Sequence, residues 1–151
     1  MKKKIFTILL ILLVTNCGFT PIYNENNKID YKINVTEVNG DKMINTKMLS
    51  EIKRISNLQS VNIINITIDT LYEKKIISKN MNGTASDYQL SVKTTFKVEQ
   101  NNEMQEYSFQ EDQIIKFISD FFEQKNYENT IKENFADSIV RKFNLKLISI
   151  Q

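Results

Sequence analysis

The residue with the clearest chemistry is Cys17, the only cysteine in the 151-residue chain. Three lysines, Lys2 to Lys4, precede an apolar run from Ile5 to Val14, and the cysteine follows shortly after this run. A basic start, an apolar run of roughly 7 to 15 residues and a cysteine at the cleavage point are typical of an export signal that ends at a lipid-attachment site. The pattern predicts that the Cys17 thiol is acylated and that the rest of the chain lies outside the cytoplasm.

Two alternatives compete with lipidation. A membrane-spanning helix needs roughly 20 apolar residues, and the run from Ile5 to Val14 is too short for that. A plain secretory signal stays open, because Asn16 stands before Cys17 where lipoprotein signals usually have Gly, Ala or Ser. A lone thiol in an oxidising compartment has no intramolecular partner, and attachment to lipid removes its reactivity. This argument favours lipidation.

The side chains that enzymes use most are missing elsewhere in the chain. There is no histidine, and Cys17 at the lipid site leaves no thiol nucleophile. The adjacent acids Glu111 and Asp112 point to opposite sides of an extended strand, which is the wrong arrangement for an acid and a base acting on one bond. The three glycines form no phosphate loop, and no acidic run has calcium-loop spacing. We therefore expect no enzyme, no catalytic residues, no cofactor and no metal; a carboxylate-based envelope hydrolase is the least favoured alternative.

Charge excludes a further class of function. The chain has 20 Lys and Arg against 18 Asp and Glu, and removal of Lys2 to Lys4 with the signal lowers the basic count to 17. A protein so close to neutral lacks the basic stripe that nucleic-acid binding requires. The expected organisation is a signal peptide over 1–16, a lipidated cysteine and tether over 17–30, and a single domain over 31–151. The only proline, Pro21, and a cluster of asparagines lie in the tether.

The first half of the domain predicts strand, helix and strand. Alternation that begins at Tyr31 indicates a half-buried strand, and a turn follows at Asn39 and Gly40. A helix over 42–56 is predicted because apolar residues recur on one face, at Ile44, Met48, Ile52 and Ile55. The next strand, over 61–72, has Ile64, Ile66 and Ile68 on alternate positions. The additional Ile63 indicates a bulge or burial on both faces of the sheet.

The second half predicts a hairpin and a long helix. Alternation over 88–98, a turn at Asn101 and Asn102, and further alternation through Tyr107 and Phe109 indicate two antiparallel strands. The register is undefined from Asp112 to Phe122.

The helix is predicted over 123–143 from apolar residues four apart, with Ala136 and Val140 beside them: Tyr127, Ile131, Phe135, Ile139 and Phe143. We interpret this stripe as core, since the flanking charges have both signs; a membrane-surface or partner-binding helix is the alternative. The tail over 145–150 is apolar enough for a short strand.

Three stretches of the sequence resemble one protein family. Cys17-Gly18-Phe19-Thr20-Pro21-Ile22-Tyr23 closely resembles the opening of the LPS-assembly lipoproteins (LptE type), particularly their alphaproteobacterial form. The stretch 80–90 is similar to the family's junction between a polar loop and a strand that starts with tyrosine. The stretch 135–143 is similar to the family's closing helix. The likeness covers most of the chain after the signal.

The resemblance implies an α+β fold, a two-layer sandwich with two helices packed on one face of a mostly antiparallel four-stranded sheet. It also implies a lipoprotein of the cell outer membrane, anchored on the periplasmic side through acyl chains on Cys17. Members of the family plug and help to assemble the lipopolysaccharide (LPS) transport β-barrel, LptD, and bind LPS non-covalently. A lipid-anchored auxiliary or carrier subunit of another envelope transport system is the alternative.

The resemblance also indicates candidate LPS-binding residues. Family members implicated in LPS binding carry a basic residue directly before the Asn-Gly of the loop that precedes the tyrosine strand. Met81 holds this position here, so the nearest cations, Lys74, Lys75 and Lys79, are the candidates. Lys125 is a further candidate, because it lies near the start of the predicted closing helix. The alternative for each of these lysines is an ordinary solvated surface position.

Overall fold

The computed structural model describes residues 29–101 and 103–149. Its elements are β1 (Lys32–Gly40), α1 (Lys42–Ile55), β2 (Ile63–Lys79), β3 (Ala85–Gln100), β4 (Glu103–Lys116) and α2 (Phe121–Ile148). The predicted export signal, Cys17 and the turn residue Asn102 lie outside the described residues. Ile29, near the end of the predicted tether, is buried in the core.

The four strands form one sheet in the order β1-β2-β3-β4. β1 runs parallel to β2, and the other two pairs are antiparallel. The parallel pair follows from α1, because two parallel strands need a long crossover connection. The predicted α+β fold, with two helices on one face of a mostly antiparallel sheet, is confirmed.

The core lies between this sheet and the two helices. Alternate residues of the central strands face the helices, since side chains of a strand point to opposite faces in turn. The ring of Phe96 in β3 stacks on the ring of Phe143 in α2, with centroids 4.1 Å apart. Most of the predicted inward-facing residues of α1, β2 and β3 are buried: Ile44, Met48, Ile52, Ile64, Ile66, Ile68, Leu90, Val92, Phe96 and Val98. Ile55 and Tyr88 also pack against the core but are only partly buried.

β2 and β3 are longer than the sequence predicts. β1 pairs with β2 only as far as Thr70, while β2 continues to Lys79. We call the part beyond β1 the extension: residues 71–79 of β2, 85–93 of β3 and 110–116 of β4, which pair with one another. The chain leaves the sheet at Gly40, whose φ is +99° and whose position would place a Cβ 1.7 Å from the Thr70 carbonyl oxygen.

α1 begins directly after this glycine. The side chain of Asp41 accepts hydrogen bonds from the backbone N–H groups of Met43 and Ile44, both at 3.0 Å. These two N–H groups have no partner within a helix, so the aspartate stabilises the first turn. Gly40 and Asp41 together therefore set where β1 ends and where α1 begins.

α2 is longer than predicted at both ends. Asp120 caps its start, accepting a hydrogen bond from the N–H of Glu123 at 2.8 Å. Leu147 is fully buried, because it continues the four-residue spacing of the helix beyond Phe143. The short strand that the apolar tail over 145–150 allowed does not form in the described residues: residues 145–148 form the last turn of α2. Ile150 lies outside the described residues.

Two predicted core positions are exposed. Ile63 is 55% exposed, and the irregularity in the pairing lies in β1, between Val35 and Glu37, so neither a bulge at Ile63 nor burial on both faces occurs. Tyr127 is 38% exposed. It lies more than one turn before Lys132, which contacts the start of α1, so α1 does not extend far enough to bury it. The remainder of the α2 stripe is buried, as predicted.

Candidate functional site

Lys74 lies on the side of the extension that faces α2. Its ammonium group forms a salt bridge with Glu128 of α2 and lies 4.1 Å from the centroid of the Tyr88 ring. Gln124 also donates a hydrogen bond to Glu128, at 2.9 Å. The charge of Lys74 is therefore compensated within the fold, and this lysine joins the extension to the beginning of α2.

Lys75 points to the opposite face of the sheet. It forms a salt bridge of 2.7 Å with Glu73 of the same strand, and this contact raises the pKa of Lys75. The side chain of Lys75 is 67% exposed. Exposed pairs of this kind contribute little to stability, so the ammonium group is free to exchange Glu73 for another anion.

Lys79 and Lys125 are the candidate cations without a carboxylate partner. Both are exposed, and neither forms a salt bridge in the part of the chain that the structure describes. Lys125 lies three residues before Glu128, so the two side chains are neighbours on the surface of α2. Helix spacing therefore puts Lys125 on the same part of α2 as the Lys74–Glu128 pair, while Lys79 lies at the end of β2.

A tight turn joins β2 to β3 beside Lys79. The side-chain oxygen of Asn80 accepts hydrogen bonds from the N–H groups of Asn82 and Thr84, at 3.1 and 3.0 Å. Gly83 adopts a φ of +78°, which is a glycine conformation. Met81 at the top of this turn is fully exposed. The turn therefore exposes the apolar side chain of Met81 to solvent, two residues after the ammonium-bearing Lys79.

Sequence reasoning missed an exposed apolar surface at this end of the molecule. Phe121 and Phe122, the first residues of α2, are 71% and 74% exposed. We call the group at the end of the extension the apolar tip: Ile76, Ile77, Met81, Phe117, Phe121 and Phe122. The sequence signal for this surface is the density of phenylalanines between Lys116 and Glu123, in a segment where alternation defines no register.

The apolar tip and the lysines together have a definite chemistry. Clusters of exposed apolar side chains on a protein surface mark sites for other molecules. Ammonium groups bind phosphate through charge-assisted hydrogen bonds. A ligand that matches both features is an amphiphile with an anionic headgroup, whose acyl chains contact the apolar tip while the lysines contact the phosphates.

A second cluster lies where α1, α2 and β2 meet. Lys132 donates a hydrogen bond to Asp41 at 2.6 Å, and its ammonium group lies 4.0 Å from the centroid of the Tyr72 ring. Burial raises the pKa of Asp41, but the hydrogen bond from Ile44 and the contact with Lys132 outweigh it, so the pKa is lowered. Burial, together with Glu128 and Asp41, raises the pKa of Tyr72 to about 12. These contacts connect both helices to β2 and stabilise the way they pack together.

Most side chains on the open face of the sheet, away from the helices, are polar, although four exposed apolar residues lie nearer its margins on the same face: Ile63, Leu71, Met104 and Ile114. Asn34 of β1 donates a hydrogen bond to Asn65 of β2 at 2.8 Å, and Asn39 donates to Asp69 at 3.1 Å. Lys97 of β3 forms a salt bridge with Asp69 at 3.5 Å. Amide, hydroxyl and charged side chains thus connect neighbouring strands across this face. Such a face is suited to a hydrophilic partner surface.

Other chemical features are few in the residues that the structure describes. They contain no group of three acidic side chains placed to hold a metal ion. None of their helices combines the length and the apolar character needed to cross a membrane. A shallow groove between α1 and α2 is lined by five residues of α1, Lys47 among them, and by the carboxylate of Glu133.

Comparison with known proteins identifies the fold. No family model and no curated protein sequence matches the chain. The structure of rare lipoprotein B from Shewanella oneidensis has a TM-score of 0.57 and 12% identity, over 77% of this chain and 97% of that one. A minor lipoprotein from Acinetobacter baumannii has a TM-score of 0.52 and 9% identity, over 77% and 92%. A lipoprotein from Caulobacter crescentus has a TM-score of 0.51 and 9% identity, over 80% and 89%. The described domain has the fold of these bacterial lipoproteins.

Proposed function

We propose that this protein is an outer-membrane lipoprotein that plugs and helps to assemble the LPS-transport β-barrel and assists the delivery of LPS by non-covalent binding. It is anchored on the periplasmic side through acyl chains on Cys17. The observation that carries the proposal is the apolar tip with its lysines, on a domain that shares the fold of rare lipoprotein B.

The tip supports binding of a phosphorylated lipid. Lys79 and Lys125 are exposed and have no carboxylate partner in the described residues, and Lys75 is held only by an exposed pair. Phe121 and Phe122 present apolar rings at the same end of the molecule. LPS combines phosphates with acyl chains, so one molecule can use both kinds of contact at once.

The open face of the sheet supports the proposal that the protein plugs an outer-membrane barrel. The interior of an outer-membrane barrel is polar, since its outward residues face lipid and its inward residues face water. Hydrogen-bonding side chains such as Asn34, Asn65 and Thr95 on the open face match a wall of this kind. A plug of this type acts by surface fit and hydrogen bonding.

The test of the partner is co-purification of the full-length protein from native membranes. Recovery of a large outer-membrane barrel with the protein is the expected result. Recovery of an inner-membrane ATPase complex would instead assign the protein to another envelope transport system as a lipid-anchored subunit. Mass spectrometry of the same material tests acylation of Cys17; an unmodified thiol would remove the anchor from the proposal.

The test of the ligand is binding of purified LPS to a triple variant. Replacement of Lys75, Lys79 and Lys125 with glutamate should lower the affinity, because repulsion replaces attraction for the phosphates. Lys74 is left in place, since it pairs with Glu128 within the fold. The matched control replaces three exposed lysines outside the tip with glutamate: Lys32, Lys53 and Lys93. Equal affinity of the two triple variants would exclude Lys75, Lys79 and Lys125 from the proposed site.

A further inference from the structure

The chain enters the described domain beside the loop that joins α1 to β2. We call residues 57–62 of this loop the entry loop. The backbone N–H of Asn57 donates a hydrogen bond to the carbonyl oxygen of Tyr31 at 3.0 Å. The hydroxyl of Ser60 donates a hydrogen bond to the carbonyl oxygen of Asp30 at 2.8 Å. The segment that leads into β1 is therefore attached to the entry loop, at the end of the sheet where β2 begins.

The entry loop exposes apolar side chains and carries no charge. Leu58 and Val61 are 67% and 91% exposed, and Ile63, the first residue of β2, is 55% exposed. The sequence from 56 to 63 has no Asp, Glu, Lys or Arg. Exposed apolar side chains that lie together mark a site of contact with another molecule. A loop without charged residues can enter the surface of a lipid layer without the cost of moving a charge out of water.

Hydrogen bonds within the entry loop satisfy several of its own backbone groups. The N–H of Gln59 donates to the side-chain oxygen of Asn57 at 3.1 Å, and the N–H of Asn62 donates to the hydroxyl of Ser60 at 3.0 Å. The N–H of Ser60 donates to the carbonyl oxygen of Asn57 at 3.2 Å. Backbone groups that leave water need partners within the protein, so these bonds lower the cost of moving the loop towards lipid.

The length of chain before Ile29 indicates what covers the entry loop. Twelve residues, Cys17 to Lys28, precede the described domain. A chain of this length spans at most roughly 40 Å. β2 has 17 residues, from Ile63 to Lys79, which makes it roughly 50 Å long. With the apolar tip in lipid and the strand upright, the point of entry would lie beyond the reach of the tether. The entry loop is therefore the part of the domain that an acylated Cys17 brings to the membrane.

We propose that the entry loop docks on the lipid leaflet that holds the acyl chains of Cys17, with Leu58 and Val61 inserted below the headgroups. This inference rests on the proposed acylation of Cys17 and adds the surface through which the domain contacts the membrane. It applies to the lipoprotein outside a barrel, because the barrel wall would separate a plug from lipid. The apolar tip then points away from the leaflet and stays accessible from the periplasm.

The experiment uses tryptophan as a reporter of contact with lipid, because the natural chain has none. The full mature protein is coupled through the thiol of Cys17 to a maleimide phospholipid, so the anchor is present whether or not the cell acylates this cysteine. The vesicles consist of phosphatidylethanolamine and phosphatidylglycerol, without LPS or a barrel. Bromine atoms on the acyl chains should quench the fluorescence of Leu58→Trp and of Val61→Trp strongly. The control Leu71→Trp, on the open face of the sheet, should be quenched little.

The contribution of the loop to membrane affinity is measured with a weaker anchor. A single myristoyl chain coupled to Cys17 gives reversible binding, which vesicle sedimentation measures. Leu58→Ser with Val61→Ser should weaken this binding roughly tenfold, since two apolar side chains lose their contact with lipid. The matched control is Leu71→Ser with Ile114→Ser, which removes side chains that are 59% and 65% exposed on the open face. This control should bind as the wild type does.

Hydrogen exchange on the wild type keeps the proposal testable where a variant folds poorly. Amides over 57–62 should exchange more slowly on the vesicles than in solution. Unchanged exchange of the anchored protein, or equal binding of the two double serine variants, would overturn the proposal. Quenching of Met81→Trp in place of Leu58→Trp would show that the opposite end contacts lipid. Protection of the loop only in a complex from native membranes would assign it to a protein partner instead.

Failure of the proposed function gives a different result. An unmodified Cys17 thiol in native material would remove the proposed anchor. Insertion of Leu58→Trp into the vesicles by the chemically anchored protein would still support the entry loop as a surface that binds lipid.

Discussion

Lys132 in the middle of α2 donates a hydrogen bond to Asp41 at the start of α1, with 2.6 Å between Nζ and Oδ2. Both side chains are mostly buried, with 17% and 16% of their surfaces exposed. The same ammonium group lies over the ring of Tyr72 in β2. One contact thus joins both helices to the strand that continues into the extension, at the point where β1 leaves the sheet.

Replacement of Lys132 tests how much its contact with Asp41 contributes to stability. Lys132→Met should lower the free energy of unfolding by about 1–3 kcal/mol, because the Asp41 carboxylate stays in place without its partner. The measurement is chemical denaturation. Lys142→Met is the matched control, since Lys142 pairs with Glu111 at 2.8 Å but is 48% exposed. That variant should lose less than about 1 kcal/mol. Equal losses would mean that the Lys132 pair adds nothing beyond an ordinary surface contact.

The Asp41 carboxylate should also make stability depend on pH. Its pKa in the folded protein is lowered from an ordinary value of 3.8. The unfolded chain therefore takes up the proton first as the pH falls. The stability that the charge provides is fully present above pH 3.8 and is lost as the pH falls through the lower folded pKa.

Asp41→Asn isolates this effect, since asparagine also caps helices well. The variant should be less stable than the wild type at neutral pH, and the difference should shrink below the ordinary aspartate pKa. Denaturation curves at a series of pH values give the difference. In the Lys132→Met background the pH-dependent part should be smaller, because one source of the lowered pKa is gone. A difference that stays constant into strong acid would contradict the assignment.

Periodicity predicted the part of the fold in which burial alternates regularly. Alternation in β3 and four-residue spacing in α2 predict that Phe96 and Phe143 face inward, and the two rings stack in the core. The apolar residues after Phe143, taken by themselves, are compatible with a short strand as well as with more helix. Leu147 in fact lies one turn after Phe143 on the same face, so the helical spacing continues.

The extension was harder to predict for a physical reason. Beyond Thr70, β2 has neither β1 beside it nor α1 above it, so its residues no longer alternate between buried and exposed. The strand over Leu71–Lys79 is specified by its pairing with β3, and this pairing leaves no periodic pattern in one strand alone. The lysines of the candidate site were visible in the sequence, but their separation into paired and free cations depends on Glu73 and Glu128.

Gly40 provides a direct test of where β1 must end. Gly40→Ala should destabilise the protein by about 2–5 kcal/mol, since the left-handed conformation and the clash with Thr70 add together. Gly83→Ala is the matched control: its φ of +78° is also unfavourable for alanine, but no atom lies within 4 Å of the new Cβ. It should cost about 1–2 kcal/mol. Thermal unfolding compares the two variants, and a loss at Gly83 as large as that at Gly40 would show that the clash is relieved at no cost.

Substitutions in the apolar tip should lower the affinity for LPS and leave the free energy of unfolding almost unchanged. Phe121→Ser with Phe122→Ser removes two rings that are 71% and 74% exposed, so the free energy of unfolding should change by no more than about 0.5 kcal/mol per site. The affinity for LPS should fall, because the acyl chains lose their contact area. Leu145→Ser is the matched control, since Leu145 is 59% exposed near the other end of the same helix. It should leave LPS binding unchanged. If the double variant binds LPS as tightly as the wild type, these rings serve another partner and the lipid contacts lie elsewhere.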